Sequence, residues 1–256
     1  MLLHSNLNVF SESLQSRKLT LIVATKNSAK TLPHLVQGLY LQDANLMEVL
    51  FIDSSDNPQT ILNILLDLPL PFRFFHGRDF SIYDALNIGL THLHTEYYSV
   101  CGSDDIIFAN YSGSIGTCVA GSVVDIAVFP VMISTERVFT PTLRNQWLNC
   151  TDIPHAVGVV IKSSLHHSHG SYSSRYPICA DKHFLAKCIA GGASVYLSDH
   201  PIGCYGQAGK SSREVRHYLL DLFNIQVDLG RSYSLQLFLL LFRLLRYSKV
   251  CGQALG

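Results

Sequence analysis

Two adjacent aspartates, Asp104 and Asp105, stand near the end of the half-apolar run YYSVCGSDDIIF, residues 97–108. Asp-Asp is ordinary turn chemistry after a strand. Adjacent carboxylates are also what a hard divalent cation shares with the phosphates of a nucleotide. Other polar residues fall at comparable places: Thr25 and Lys26 after LTLIVA, Asp53 after MEVLFI, Arg78 and Asp79 after PFRFFHG. Asp181 opens a helical segment in YPICADKHFLAKCIAGG. A helix N-terminus favours the ionised carboxylate, the form a general base needs. An ordinary N-cap is the other reading of that residue.

The elements that must hold these side chains can be read from periodicity. KLTLIVAT (18–25) is a short β-forming run, followed by a helix with Leu32, Leu35, Val36 and Leu39 at helical spacing and Asn27 or Ser28 as its cap. MEVLFIDSSDNPQT (47–60) repeats the theme, with Asp56 expected to cap ILNILLDL. PFRFFHG is a third strand, and SIYDALNIGLTHLH is a helix with Ile82, Ala85, Leu86 and Leu90 on one face. YYSVCG closes the series as a fourth strand. Strand and helix alternate at βαβ spacing, which predicts an α/β fold with a mostly parallel sheet covered on both faces. Ligands of such sheets sit at the carboxyl ends of the strands, where these polar residues converge.

Beyond residue 110 the pattern turns mixed. VVDIAVFPVMIS and RVFTPTLRNQW read as a hairpin turning at Ser134–Glu136, VGVVIKSSL as a strand, and ASVYLSDHPIGCYGQAGKSS as a strand followed by a Gly/Ser-rich loop. HHSHG (166–170) reads as a solvated turn without enough ligands for a metal. The expected organisation is an N-terminal extension (1–17), one domain (18–213) with a nucleotide-binding half (18–109) and an acceptor half (110–213), and a helical tail (214–256).

The tail segment YSLQLFLLLFRLLRYSKV (233–250) is apolar on nearly all sides, with Arg243, Arg246 and Lys249 on one stripe. It is too short to span a bilayer. It reads either as a core or dimer helix or as an amphipathic helix lying on an anionic membrane surface.

Composition narrows the class. The 256 residues are 48% hydrophobic and 15% charged, with mean hydropathy +0.21, enough for one large domain. Lys plus Arg (19) equals Asp plus Glu (19), so no field advertises a nucleic-acid partner. Seven scattered cysteines without a C-x-x-C pair fit thiols of a reducing cytoplasm better than a disulfide framework or zinc site. The first 18 residues make a poor signal peptide.

In order and spacing, LTLIVATKNSAKTLPHLVQGL, EVLFIDSSDNPQT, GRDFSIYDALNIGL and YYSVCGSDDIIF resemble family-two glycosyltransferases of the GT-A fold, in particular the bacterial surface-polysaccharide branch. PHAVGVVIKSSL, YPICADKHFLAKCIAGG and GCYGQAGKSS extend the resemblance to about residue 213. It implies a metal-dependent inverting enzyme moving one sugar from a nucleoside-diphosphate sugar, expected to be UDP-linked, to a glycan or lipid-linked acceptor. It implies Mn2+ or Mg2+ on Asp105, with Asp104 on the ribose or sharing the metal, their side chains sent to opposite sides by an extended chain. Asp53 would bond the uracil or ribose, Thr25 would lie under the base, Arg78 would face base or phosphates, and Asp84 would lie near the nucleotide. Asp181 would be the catalytic base and His155 would approach a sugar. His200, or the 203–212 loop with Lys210 and Arg213, would close over the diphosphate. Asn87 is expected to tether its helix. Ala180 departs from the family pattern, which often has an acid before the base. RNQW, ending at Trp147, lacks the spans that accompany the Q-x-x-R-W signature of processive members, so a single addition is expected. A sugar nucleotidyltransferase would need a glycine-rich phosphate loop, and ATKNSAKT has no glycine. A binding subunit without catalysis is the remaining alternative, kept by Ala180 and opposed by the intact Asp104–Asp105 pair.

Overall fold

The computed structural model describes residues 2–5, 17–78, 80–121, 124–134, 137–142, 156–206 and 214–253. Strand β1 (Leu2–Ser5) precedes an alternating series: β2 (Leu19–Thr25), α1 (Leu32–Leu39), β3 (Met47–Asp53), α2 (Pro58–Leu65), β4 (Phe72–His76), α3 (Ile82–Thr91) and β5 (Tyr97–Gly102). There follow β6 (Ile106–Ile107), α4 (Tyr111–Gly121), β7 (Ile126–Val128), β8 (Val131–Ser134) and β9 (Arg137–Phe139). A 3-10 turn (Ala156–Gly158) leads to β10 (Val159–Lys162), α5 (Leu165–His169), α6 (Ala180–Ala190), β11 (Val195–Leu197) and β12 (Gly203–Cys204). Helices α7 (Val215–Asp228) and α8 (Tyr233–Gln253) complete the described chain.

The main sheet has eight strands in the order β1-β4-β3-β2-β5-β10-β7-β11. β2 pairs in parallel with β3 and β5, and β3 with β4. β10 runs antiparallel to β5 and β7, and β1 antiparallel to β4. The second sheet has four strands in the order β6-β12-β8-β9. All seven residues of β3 are buried, as a strand covered on both faces requires. Alternation splits the core: Leu21 and Val23 meet α1, α2 and α4, whereas Ile22 meets the side holding α3, α6 and α7.

Helix α1 buries Leu32, Leu35, Val36 and Leu39, the four residues its spacing marks. Helix α3 departs from expectation. It buries Tyr83, Ala85, Leu86 and Gly89, and leaves Ile82 46% exposed. A Cβ at Gly89 would come 2.8 Å from the Ile22 side chain, so the missing side chain lets this helix face press on β2. Two expected caps also differ. The N-cap of α1 is Thr31 and that of α2 is Asn57, neither with a capping side chain, and Asn27 and Asp56 bond each other instead. The run VVDIAVFPVMIS does not form one strand. It breaks at Phe129-Pro130, sending β7 to the main sheet and β8 to the second, where β8 and β9 form the hairpin. Proline cannot donate to a ladder, so one continuous interior strand was not available.

HHSHG forms α5 rather than a solvated turn. The His166 ring stacks on Phe184 at 4.1 Å, and its Nε2 lies 2.6 Å from the Tyr98 hydroxyl. Burial lowers the His166 pKa to about 4, below its usual 6.5. The unfolded chain therefore binds more protons between those values, and stability falls as pH drops through that window. We expect a loss on the order of 2 kcal/mol, discounted for partial exposure of the ring. Urea midpoints at pH 7 and pH 4.5 check this: His166→Gln, which cannot titrate, should show a smaller drop than the wild type.

Candidate active site

The carboxyl ends of β2, β3 and β4 meet at one buried carboxylate. Thr25, Asp53 and His76 are register partners on the three adjacent strands. Asp53 Oδ1 accepts from the hydroxyls of Thr25 at 2.7 Å and Ser55 at 2.6 Å. Oδ2 accepts the Ser55 amide at 3.1 Å and lies 2.9 Å from His76 Nδ1. Asp53 is fully enclosed and meets four protein groups. Its part is to fix the strand ends. Asn27, at φ 52°, donates its amide to Ser55 Oγ at 2.7 Å, and its side chain and Asp56 bond reciprocally. Asparagine tolerates this left-handed conformation better than most residues. The β2–α1 and β3–α2 loops are thereby joined into one wall. His76 was not picked out in the sequence; its position at the last residue of a strand was the available signal.

Asp104 and Asp105 follow β5 in a turn closed by the Asp105 amide on the Gly102 carbonyl at 3.2 Å. They do not point to opposite sides. A Cβ at Gly102 would sit 2.9 Å from Asp104 Oδ1 and 3.0 Å from Asp105 Oδ2, so both carboxylates flank the same small space. The turn, rather than an extended chain, sets their directions. Asp105 is fully buried, with Oδ2 accepting the Gly102 amide at 2.7 Å and Oδ1 the Gly206 amide at 2.8 Å. Cys101 Sγ lies 3.8 Å from the same carboxylate, and burial together with Asp105 raises this thiol well above its usual range. Asp104 is partly exposed and packs over Gly206, where any Cβ would meet its backbone at 2.4 Å.

This donor set suits Mg2+ or Mn2+, which take oxygen ligands and commonly use one or two protein carboxylates plus substrate phosphates. Among the described residues no group of three or more His, Cys, Asp or Glu gathers as a self-sufficient metal cage. Asp104 is partly exposed as a residue although its Oδ2 is buried, whereas Asp105 ties the turn to the β12 loop.

Asp181 lies in the first turn of α6, and its Oδ1 accepts the Tyr83 hydroxyl at 2.8 Å. Tyr83 is the second residue of α3, which starts just beyond the carboxyl end of β4. That bond brings the acid of the second half to the edge that holds Asp53. Burial, then the neighbouring Asp181 charge, holds Tyr83 well above its ordinary pKa, so it stays a donor. Asp221 of α7 accepts the Ile178 and Cys179 amides at 2.8 and 3.1 Å, and Asp228 accepts from Tyr176 and pairs with Arg175 at 2.8 Å. Helix α7 thus holds the segment entering α6. The sequence showed neither this support nor Tyr83.

Asp84 forms a capping box with Ser81 and is exposed; it stabilises the α3 N-terminus. Asn87 is a tether, bonded to both the amide and carbonyl of Tyr172. Arg78 is exposed just after β4, and His200 is exposed in the turn before β12. His155, Asp79, Trp147, Lys210 and Arg213 lie outside the described residues.

This architecture is the GT-A fold, an α/β sheet of mostly parallel strands flanked by helices. Residues 20–114, which carry Thr25, Asp53, Asp84, Asp104 and Asp105, match the family model of glycosyl transferase family 2. Residues 1–349 of TarS from S. aureus, solved with UDP, superpose with TM-score 0.66 at 17% identity, over 87% of this chain and 69% of that one. Mannosyltransferase PcManGT from Pyrobaculum calidifontis, in complex with GDP-Man and Mn2+, gives 0.66 at 17%, over 84% and 64%. Glucosyl-3-phosphoglycerate synthase from Mycobacterium tuberculosis, with Mn2+, UDP and glucosyl-3-phosphoglycerate, gives 0.56 at 12%, over 82% of each. The chain spans 41% of a longer TarS structure. At these identities the likeness establishes the shared fold. The sequence finds no match among curated proteins.

Proposed function

We propose that this chain is a glycosyltransferase that moves one sugar, with inversion, from a nucleoside-diphosphate sugar to a hydroxyl of a glycan or lipid-linked glycan of a surface polysaccharide. The observation that carries the proposal is the paired-carboxylate turn around Gly102, beside three strand ends joined through Asp53, in the segment matching the family-two model. Structural neighbours solved with UDP, UDP-GlcNAc and GDP-Man support the donor class. UDP is the preferred nucleotide on the resemblance of the motifs. The scattered cysteines suit a reducing compartment, and the reaction belongs in the cytoplasm.

In this reading the wall built by Thr25, Asn27, Ser55 and Asp53 receives the base and ribose, with Arg78 at its rim. Asp104 and Asp105 would hold the divalent cation. When bound there, the cation offsets the negative charge gathering on the diphosphate. Asp181 takes the proton of the acceptor hydroxyl as its oxygen attacks the anomeric carbon, forming a C–O bond while the bond to the diphosphate breaks. Tyr83 holds one carboxylate oxygen of Asp181, leaving the other to meet the acceptor.

A panel of UDP- and GDP-sugars with Mn2+, followed by release of nucleoside diphosphate, tests this reading. We expect slow release from one donor and faster release with an acceptor glycan. Turnover of a sugar phosphate and a nucleoside triphosphate, with pyrophosphate as product, would instead identify a nucleotidyltransferase.

A further inference from the structure

Helix α8 exposes more apolar surface than a water-soluble helix ordinarily does. Its inward side carries Gln236, Leu239, Leu240, Arg243, Leu244 and Tyr247, with Gln236 and Leu240 buried. Its outward side carries an apolar ridge with Arg246 exposed beside it: Phe238 and Leu245 are each 65% exposed, Phe242 55% and Leu241 53%. A helix on a soluble domain ordinarily turns its apolar stripe to the core and its polar stripe to water. Here α7 already fills the core side with Leu222 and Ile225, and α8 packs outside it, with Tyr233 edge-on to Phe223 at 5.5 Å. The ridge of Phe238, Leu241, Phe242 and Leu245 is therefore a surface built for something other than water.

Charge decides what covers it. Residues 229–256 hold four cations, Arg231, Arg243, Arg246 and Lys249, and no acid. The whole chain is neutral, so residues 1–228 carry the opposite imbalance. A second copy laid on the same ridge would bring like charges together. An anionic surface would instead neutralise them, with the Arg246 stem lying along the apolar flank and its head reaching outward. No described helix is long and apolar enough to cross a membrane, so the fit is to a surface and not a span.

We propose that α8 docks the protein on an anionic phospholipid bilayer, with Phe238, Leu241, Phe242 and Leu245 entering the headgroup–acyl boundary and the exposed Arg246 meeting phosphates. The docking is a property of α8 alone and holds whatever sugar the domain transfers. It would place the active site beside a lipid-linked acceptor.

The test is flotation of the full chain with vesicles of phosphatidylcholine alone or with about 30 mol% phosphatidylglycerol. The protein should float with the anionic vesicles, remain in solution with the neutral ones, and be released by roughly 0.5 M salt. Phe238→Gln with Leu245→Gln should abolish flotation while leaving the circular dichroism spectrum and thermal midpoint unchanged, since both side chains are exposed. Arg246→Gln with Lys249→Gln should lower the bound fraction about tenfold. Flotation that ignores lipid charge or survives the Phe238/Leu245 change overturns the proposal, as does failure of the intact chain to float. Concentration-dependent dimerisation by light scattering, lost in the same variant, would assign the ridge to a second copy and overturn it equally.

Discussion

Asp181→Asn should lower turnover by about 10²- to 10⁴-fold, the range a positioned general base supplies, while donor binding stays within about twofold. The substitution retains the shape of the side chain and an oxygen for the Tyr83 hydroxyl, now 2.8 Å away, so the start of α6 should survive. What it removes is the basic oxygen proposed to take the acceptor proton. Single-turnover assays beside nucleotide binding separate these effects. Tyr83→Phe gives a second view: the carboxylate stays but loses its holder, so kcat should drop less than for Asp181→Asn, with the donor dissociation constant again unmoved. Equal turnover in wild type and Asp181→Asn would remove Asp181 from the chemistry.

Asp105→Ala should have the largest effect on the protein as a whole. It strips a fully buried acceptor from two backbone amides, those of Gly102 at 2.7 Å and Gly206 at 2.8 Å. Each orphaned amide costs about 1–3 kcal/mol, so the urea midpoint should fall markedly along with metal-dependent donor binding. Asp104→Ala, at a partly exposed position, should lose the metal effect with little change in midpoint. The pair thus separates a carboxylate that presents itself to ligand from one that holds the turn. Equal midpoints for the two variants would contradict that division.

The nucleotide-side half was readable because its determinants are local. The 3.6-residue period of Leu32, Leu35, Val36 and Leu39 faces α1 to the sheet without help from elsewhere. Strand ends can be read the same way, which is why Thr25, Asp53 and the Asp104–Asp105 pair were found together. What escaped depends on distant partners. Asp105 is buried by an amide 101 residues away, and Asp181 is held by a tyrosine 98 residues away. Helix α4 went unseen because Gly113, Gly116 and Gly121 blur its period, and it is held by packing of Tyr111, Ile115 and Val119 rather than by propensity. The face of α3 was misread by one position, since the tightest contact on it is a glycine, which carries no hydropathy signal.

In the proposed function the turn around Gly102 couples a divalent cation to a nucleoside diphosphate. Calorimetric titration of UDP, with GDP alongside, into wild type and Asp104→Ala, each with and without Mn2+, tests it most directly. Mn2+ should tighten binding of one nucleotide to the wild type by about tenfold or more, and this gain should vanish in Asp104→Ala. An identical Mn2+ effect in both proteins, or no binding of either nucleotide to the wild type with Mn2+ present, would contradict it.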